Sequence, residues 1–438
     1  MQMMIVLLLL CSTIFITILF FQKQTARRKS NTPPSPPRLP FIGNLHQLGR
    51  YPHRSLCFLS RRYGPLMLLH FGSVPVLVVS SVAVARDVLK THDRVFASRP
   101  QSKIFEKLMY NGRDVAVAPY GEYWRQMKSV CVLHLLSHKM VRSFRDVREE
   151  EVSLMMEKIR KSSSLWVNIS ELLSSLTNDV ICRVALGRKY GAGTDFKELI
   201  DRFTKLLGVS SVGSYVPWLA WIDWIRGLDG QLEKTRNDFD EFFTSYTLME
   251  WAMTELLLHP ECLNILQEEV RTCCKRRSSV SEEDLQNMKY LKAVIKETLR
   301  LHPPLPLLVP HKSTQEVILR DYGIPAGTQV TINAWAIGRE AATWGPDAES
   351  FRPERHLDSS VDFIGHDFEL IPFGAGRRIC PAISFAAVLN EFVLANLVHQ
   401  LNWRLPAESN EVKTNVAESI GTVIHRMFPL YAIASSTT

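Results

Sequence analysis

The run Pro372-Phe373-Gly374-Ala375-Gly376-Arg377-Arg378-Ile379-Cys380-Pro381-Ala382 constrains this chain more than any other segment. A cysteine preceded by two arginines and two glycines, and followed by proline, suits neither a disulfide nor a zinc site. The glycines let the backbone turn tightly and approach a flat ligand. The arginines are expected to lower the thiol pKa, and Arg378 can also pair with a carboxylate. Pro381 lacks an N–H and suits the first turn of a helix expected from Ile383 to His399, whose positive end favours a thiolate. A thiolate ligand to haem iron needs these conditions together.

The run resembles the haem-binding signature of the cytochrome P450 family, Phe-x-x-Gly-x-Arg-x-Cys-x-Gly. Phe373, Gly376, Arg378 and Cys380 match it, and Ala382 stands in place of the last glycine. The resemblance is to the plant microsomal, A-type members, and it implies haem b with Cys380 as the axial iron ligand. It also implies monooxygenation of a small apolar plant metabolite, with electrons from an NADPH-dependent membrane reductase. Three further motifs follow in family order. Glu297-Thr298-Leu299-Arg300 lies in a helix expected from about Asn287 to Pro303-Pro304, where residues three apart share a face. Phe351-Arg352-Pro353-Glu354-Arg355 resembles the family segment whose arginine joins that pair, so Glu297, Arg300 and Arg355 are expected to form a buried structural triad. His356 stands where the family usually has phenylalanine. Tyr123-Trp124-Arg125-Gln126-Met127-Lys128 resembles the helix whose tryptophan and basic residue, four apart, face a haem propionate. Trp124, Arg125 and Lys128 are therefore cofactor-binding candidates. His311, after Pro310, occupies a place where relatives often carry a propionate-binding arginine.

The net charge of +8 does not point to nucleic acid, because half of it lies in Lys23, Arg27, Arg28 and Lys29. These follow the uncharged apolar run Met3 to Phe21, which at 1.5 Å per residue spans ~28 Å, close to a bilayer's hydrocarbon core. A signal anchor over 1–22 is expected, followed by a basic, proline-rich hinge over 23–40 and a haem-thiolate catalytic domain over 41–438. Positive charge on the C-terminal flank leaves that domain cytosolic, on an endoplasmic-reticulum membrane crossed once. The sequon at Asn168 then lies on the side where it is not glycosylated. The eight cysteines are scattered with no CxxC pair, as in a reducing compartment.

The expected architecture is mainly α with small β-sheets, the cytochrome P450 fold by resemblance. A hairpin is expected over Leu66 to Ser80, interrupted by Gly72 and Pro75. Helices are expected over Ser81 to Thr91, Val141 to Lys161 and Ile169 to Leu186. Strands are expected at Glu316 to Leu319, at Gln329 to Ile332 and within Ile420 to Ala432.

One family element is missing. Members of this type carry a central helix with an acid–alcohol pair that relays protons during oxygen activation, work that needs a positioned carboxyl and a hydroxyl. This chain runs Asn237-Asp238-Phe239-Asp240-Glu241-Phe242-Phe243 and continues Thr244-Ser245-Tyr246-Thr247-Leu248-Met249-Glu250-Trp251. By resemblance Thr244 is the alcohol, with no acid before it, and roughly sixty residues are absent at a joint between 243 and 244. About ten buried apolar side chains go with them, at about 1.5–3 kcal/mol each, against a typical net stability of about 5–15 kcal/mol. The distal half is therefore expected to be truncated and remodelled. Phe239, Phe242, Tyr246, Met249, Met253 and Leu256 still step by three and four, which predicts one amphipathic helix over about 232–258. Three functions fit: a monooxygenase impaired by the missing acid, a haem-binding or misfolded inactive relative, and a peroxide-rearranging haem enzyme that needs no reductase.

Overall fold

The β-rich apolar runs on either side of Gly72 form the expected hairpin, β1 (Leu66–Phe71) against β2 (Val74–Val79), paired antiparallel from Leu66↔Val79 to Phe71↔Val74. Gly72 turns at φ +58°, and a Cβ there would meet the Tyr215 carbonyl oxygen at 2.1 Å, so the position admits no side chain. The computed structural model describes residues 31–161, 166–189, 206, 212–228, 230–232, 246–274, 277, 279–406, 416–419 and 421–436. The apolar run 3–21, the 243/244 joint and Thr244 lie outside them. Among the described residues no helix is long and apolar enough to cross a membrane.

After α1 (Pro52–Tyr63) and the hairpin, α2 (Val82–Arg86) starts on Ser81, whose Oγ accepts the Val84 N–H. It passes into a wider turn that ends at Thr91, as expected. Helix α3 (Glu122–Val130) carries the tryptophan–lysine motif. The helix expected from Val141 to Lys161 is instead two, His138–Ser143 and α4 (Arg145–Lys161). Ser137 caps the first, and buried Arg148 donates to the Val141 carbonyl at 2.8 Å, satisfying an acceptor freed by the break. Strand β3 (Trp166–Asn168) leads into α5 (Ile169–Leu186), which has the predicted bounds. Asn168 of the sequon is the cap of α5, accepting the Glu171 N–H at 3.2 Å.

Helix α6 (Tyr246–Leu258) departs from the amphipathic expectation, for it is buried on nearly every face. Its two carboxylates are tolerated there because they meet buried partners. Ser170 and the Arg426 N–H both donate to Glu250, and Glu255 bonds His302 at 2.6 Å. Trp251 stacks flat on His302, 4.1 Å between ring centroids. Helix α7 (Pro260–Cys274) then supplies Glu269, whose carboxylate accepts the Tyr290 and Leu291 N–H groups at 2.8 and 2.9 Å. That caps α8 (Lys289–Leu301), which ends ahead of Pro303-Pro304 as expected.

The second half threads the hairpin into a mixed sheet. β4 (His311–Lys312) pairs antiparallel with β7 (Gln329–Ile332), which runs parallel to β2, giving the order β1-β2-β7-β4. β5 (Val317–Leu319) and β6 (Tyr322–Ile324) form a separate hairpin. Helix α9 (Ile383–Gln400) follows the cysteine loop, and β8 (Leu401–Arg404) pairs with β9 (Tyr431–Ser436) beside β3. The last strand begins later than Ile420, because Pro429 has no N–H to give a ladder. Ahead of it the described residues make the Glu418↔Arg426 bridge.

The two largest apolar clusters among the described residues lie where α4 to α9 meet, through Met249, Leu256, Val294 and Leu389, and under the sheet, through Leu77, Phe96 and Ile332. Truncating a side chain at the centre of the larger cluster leaves a cavity. Leu389→Ala is expected to lower stability by about 2–5 kcal/mol in urea unfolding. Ile318→Ala, on an exposed strand residue, is expected to change it by less than about 0.5 kcal/mol.

Candidate functional site

The cysteine loop folds as its glycines dictate. Gly374 and Gly376 take φ +73° and +66°, and a Cβ on Gly376 would meet the Leu89 carbonyl oxygen at 2.2 Å. Gly376–Arg378 then makes one 3-10 turn, and the Cys380 N–H closes the loop on the Phe373 carbonyl at 3.0 Å. Cys380 is a free thiol just ahead of α9. Burial pushes its pKa up, opposed by a bond from the Ala382 N–H and by the charge of Lys128.

That corrects the expectation that Arg377 and Arg378 activate the thiol. The 3-10 turn aims both elsewhere: Arg377 pairs with Asp93 at 2.8 Å, and Arg378 donates to the Ala97 and Ala118 carbonyls. Lys128 is the cation that faces the sulfur, its Nζ bonded to the Arg377 carbonyl. Trp124 is held by its Nε1–H on the Val115 carbonyl at 2.9 Å. Its ring carries Arg378 at 4.1 Å and Lys128 at 5.3 Å from the centroid. Arg125, one residue round the helix from Trp124, is exposed and does not join them. His311 is buried, with Nδ1 bonded to the Phe96 carbonyl at 2.8 Å. Burial, then Arg99 and Arg378, hold its pKa well below the usual histidine value.

Arg99 was not legible in the sequence, where Ser98-Arg99-Pro100 carries no spacing signal. It is buried, and donates to the Ala116, Val309 and Pro310 carbonyls. Desolvation lowers the pKa of Arg99, of Lys128 and of Arg378, the last to about 10. Among the described residues none of the three forms an ion pair with a carboxylate. Cations left in this state favour an anionic ligand. A thiol with Lys128 beside it and two further desolvated cations in the same region fits haem, whose iron would be held by the sulfur and whose propionates would meet the charge.

Behind the loop the predicted triad assembles. Arg300 grips both oxygens of Glu297 at 2.7 Å, and Arg355 Nε donates to Glu297 at 2.9 Å. Arg300 also donates to the Gly338, Ala348 and Ser350 carbonyls, tying α8 to the segment that precedes the loop. Burial by itself would raise the Glu297 pKa, but Arg300 and His356 hold it down to about 2. His356 was passed over in the sequence as a stand-in for phenylalanine; it bonds the same carboxylate.

Comparison with known proteins gives two decisive matches. The family model described as Cytochrome P450 matches residues 33–249 and 242–427. Cytochrome P450 71A26 of Arabidopsis thaliana is 70% identical over 459 aligned residues, taking in 93% of this chain and 94% of that relative. The chain belongs to the cytochrome P450 family. Cytochrome P450 71A22 of Arabidopsis thaliana is also 70% identical, and Cytochrome P450 736A117 of Prunus mume 49%, the latter taking in 92% of this chain and 90% of that relative. The cytochrome P450 fold here has a shortened distal half. With 93% of 438 residues aligned, about 407, the 459-position alignment passes about fifty positions that face no residue of this chain. The two stretches of the family match meet at 242–249.

Two outcomes follow from this geometry. The Glu297 pKa lies below its unfolded value of ~4.3, so its stabilisation, about 3 kcal/mol, is complete above that pH and lost as pH falls toward 2. Urea midpoints should therefore drop on acidification in the parent and fall less steeply in Glu297→Gln. Gly376→Ala, which drives a methyl group into the Leu89 carbonyl, should abolish haem retention, read as loss of Soret absorbance on gel filtration.

Proposed function

We propose that this chain holds haem through Cys380 and is impaired as a monooxygenase because its alcohol, Thr244, has lost the acid that precedes it. Haem bound at this site supplies the iron centre at which P450s insert one atom of dioxygen into a substrate. The residues here supply the rest. The Cys380 sulfur would hold the iron, and the Ala382 N–H and Lys128 favour its thiolate. Lys128, Arg378 and Arg99 would neutralise the propionates, and Trp124 fixes the orientation of the first two. The Glu297 network holds the loop in place.

The observation that carries the impaired reading is the junction Phe243-Thr244, where no carboxylate stands directly before the threonine. A proton relay of carboxyl and hydroxyl contributes about 10²–10⁴-fold, and half of it is gone. An inactive, haem-binding relative is the limiting case of the same defect. The finer reading takes the substrate as a small apolar plant metabolite and the electron donor as an NADPH-dependent reductase. The run 3–21 with its basic flank supports attachment to the endoplasmic-reticulum membrane.

The test is a pair of proteins: this chain, and a version with the corresponding segment of Cytochrome P450 71A26 inserted between 243 and 244. Both should give the red-shifted Soret band of a thiolate-bound, reduced, carbon-monoxide-treated haem. Reductase-driven oxygenation by this chain should be about 10²-fold or more below that of the repaired one. Equal turnover would contradict the impairment, and absence of the shifted band in this chain would contradict the haem reading.

A further inference from the structure

The Glu297 carboxylate is fully buried and carries five donors, divided unevenly. Oε1 accepts from Arg300 Nη2 at 2.7 Å, the Arg352 N–H at 2.8 Å and Arg355 Nε at 2.9 Å. Oε2 has Arg300 Nε at 2.7 Å and His356 Nε2 at 2.9 Å. The His356 ring is also fully buried, and its Nδ1 has no partner among the described residues. The proton therefore belongs on Nε2, where it bonds the carboxylate; on Nδ1 it would be buried unbonded. Phenylalanine, the usual family residue here, would fill similar space and leave Oε2 with one donor.

His356 is the last residue of its 3-10 turn, and the chain beyond it leads to the cysteine loop. That stretch is fastened step by step. Lys296, beside Glu297 on α8, donates to the Val361 carbonyl at 2.9 Å. The Phe363 ring packs on Phe373 with centroids 5.7 Å apart. Gly365 lies so close to Ile379 that a Cβ would fall 2.2 Å from its Cδ1. Phe373 in turn accepts the Cys380 N–H.

We propose that His356 is a positioning residue for Cys380: its Nε2–H completes the shell of Glu297 Oε2 and fixes the start of the segment that delivers the cysteine. The inference rests on the reading of Cys380 as iron ligand for its functional meaning, and on the hydrogen-bond geometry alone for its structural content. A residue that merely filled space would be replaced by phenylalanine without effect on the loop.

The experiment compares the full haem-loaded chain with its His356→Phe and His356→Gln variants. It reads amide hydrogen exchange over 361–380 and the rate of haem transfer to an excess of apomyoglobin. Loss of one donor to a carboxylate predicts exchange and haem loss about tenfold faster in His356→Phe. His356→Gln, whose amide N–H can reach the same oxygen, should return both to within about threefold. Parental exchange in His356→Phe, or no recovery in His356→Gln, overturns the proposal. Should the phenylalanine variant fail to fold, the glutamine variant decides: exchange like the parent supports the assignment and faster exchange overturns it. A parent that lacks a thiolate-type spectrum refutes the functional reading, while its exchange pattern against the variants still judges His356.

Discussion

A single buried carboxylate organises the part of this protein that matters for chemistry. Glu297 is removed from water and offset by the guanidinium groups of Arg300 and Arg355. Such a charge is strongly destabilising when unpaired, so the positions of its partners are tightly specified. Arg300 in turn binds the carbonyls of Gly338, Ala348 and Ser350, and Arg355 those of Trp344 and Asp347. An irregular stretch of chain with few ladder bonds of its own is thereby fixed to a helix. The cysteine loop is placed at the end of that stretch.

The electrostatics of the loop itself run opposite in sign. Lys128 acts on Cys380, and Arg378 and Arg99 lie beside one another behind it, each pushed toward neutrality by desolvation and none paired with a carboxylate among the described residues. The protein holds this arrangement through backbone carbonyls, which accept from all three. Carbonyl dipoles compensate only part of a desolvated charge. A bound dianion would supply the remainder and so couple cofactor binding to the stability of this face. On the distal side, the segment expected to carry the acid is missing from the chain.

Elements defined by local pattern were legible in the sequence. The hairpin at Gly72, the helix from Ile169 to Leu186 and the two helices flanking the Glu297 and Cys380 motifs lie where periodicity and punctuation put them. The triad was legible because motif order stood in for long-range geometry. What escaped depends on contacts between distant residues. Arg99 is held in its buried place because Val309 and Pro310 come to meet it. The break at Phe144 is stabilised by Arg148, which periodicity alone does not place. The burial of α6 on all sides is possible because Ser170, His302 and Arg426 arrive from elsewhere to satisfy its carboxylates. The charge on the sulfur was misassigned because sequence neighbours on a 3-10 turn point apart.

The central claim is that the proximal half, held by Glu297, is sufficient to bind haem through Cys380 despite the shortened distal half. Iron K-edge X-ray absorption on the haem-loaded chain addresses it directly, because sulfur and nitrogen scatter distinguishably at the first shell. The account predicts one sulfur scatterer at iron that is absent in Cys380→Ala. A first shell of nitrogen and oxygen alone in the parent chain would contradict it.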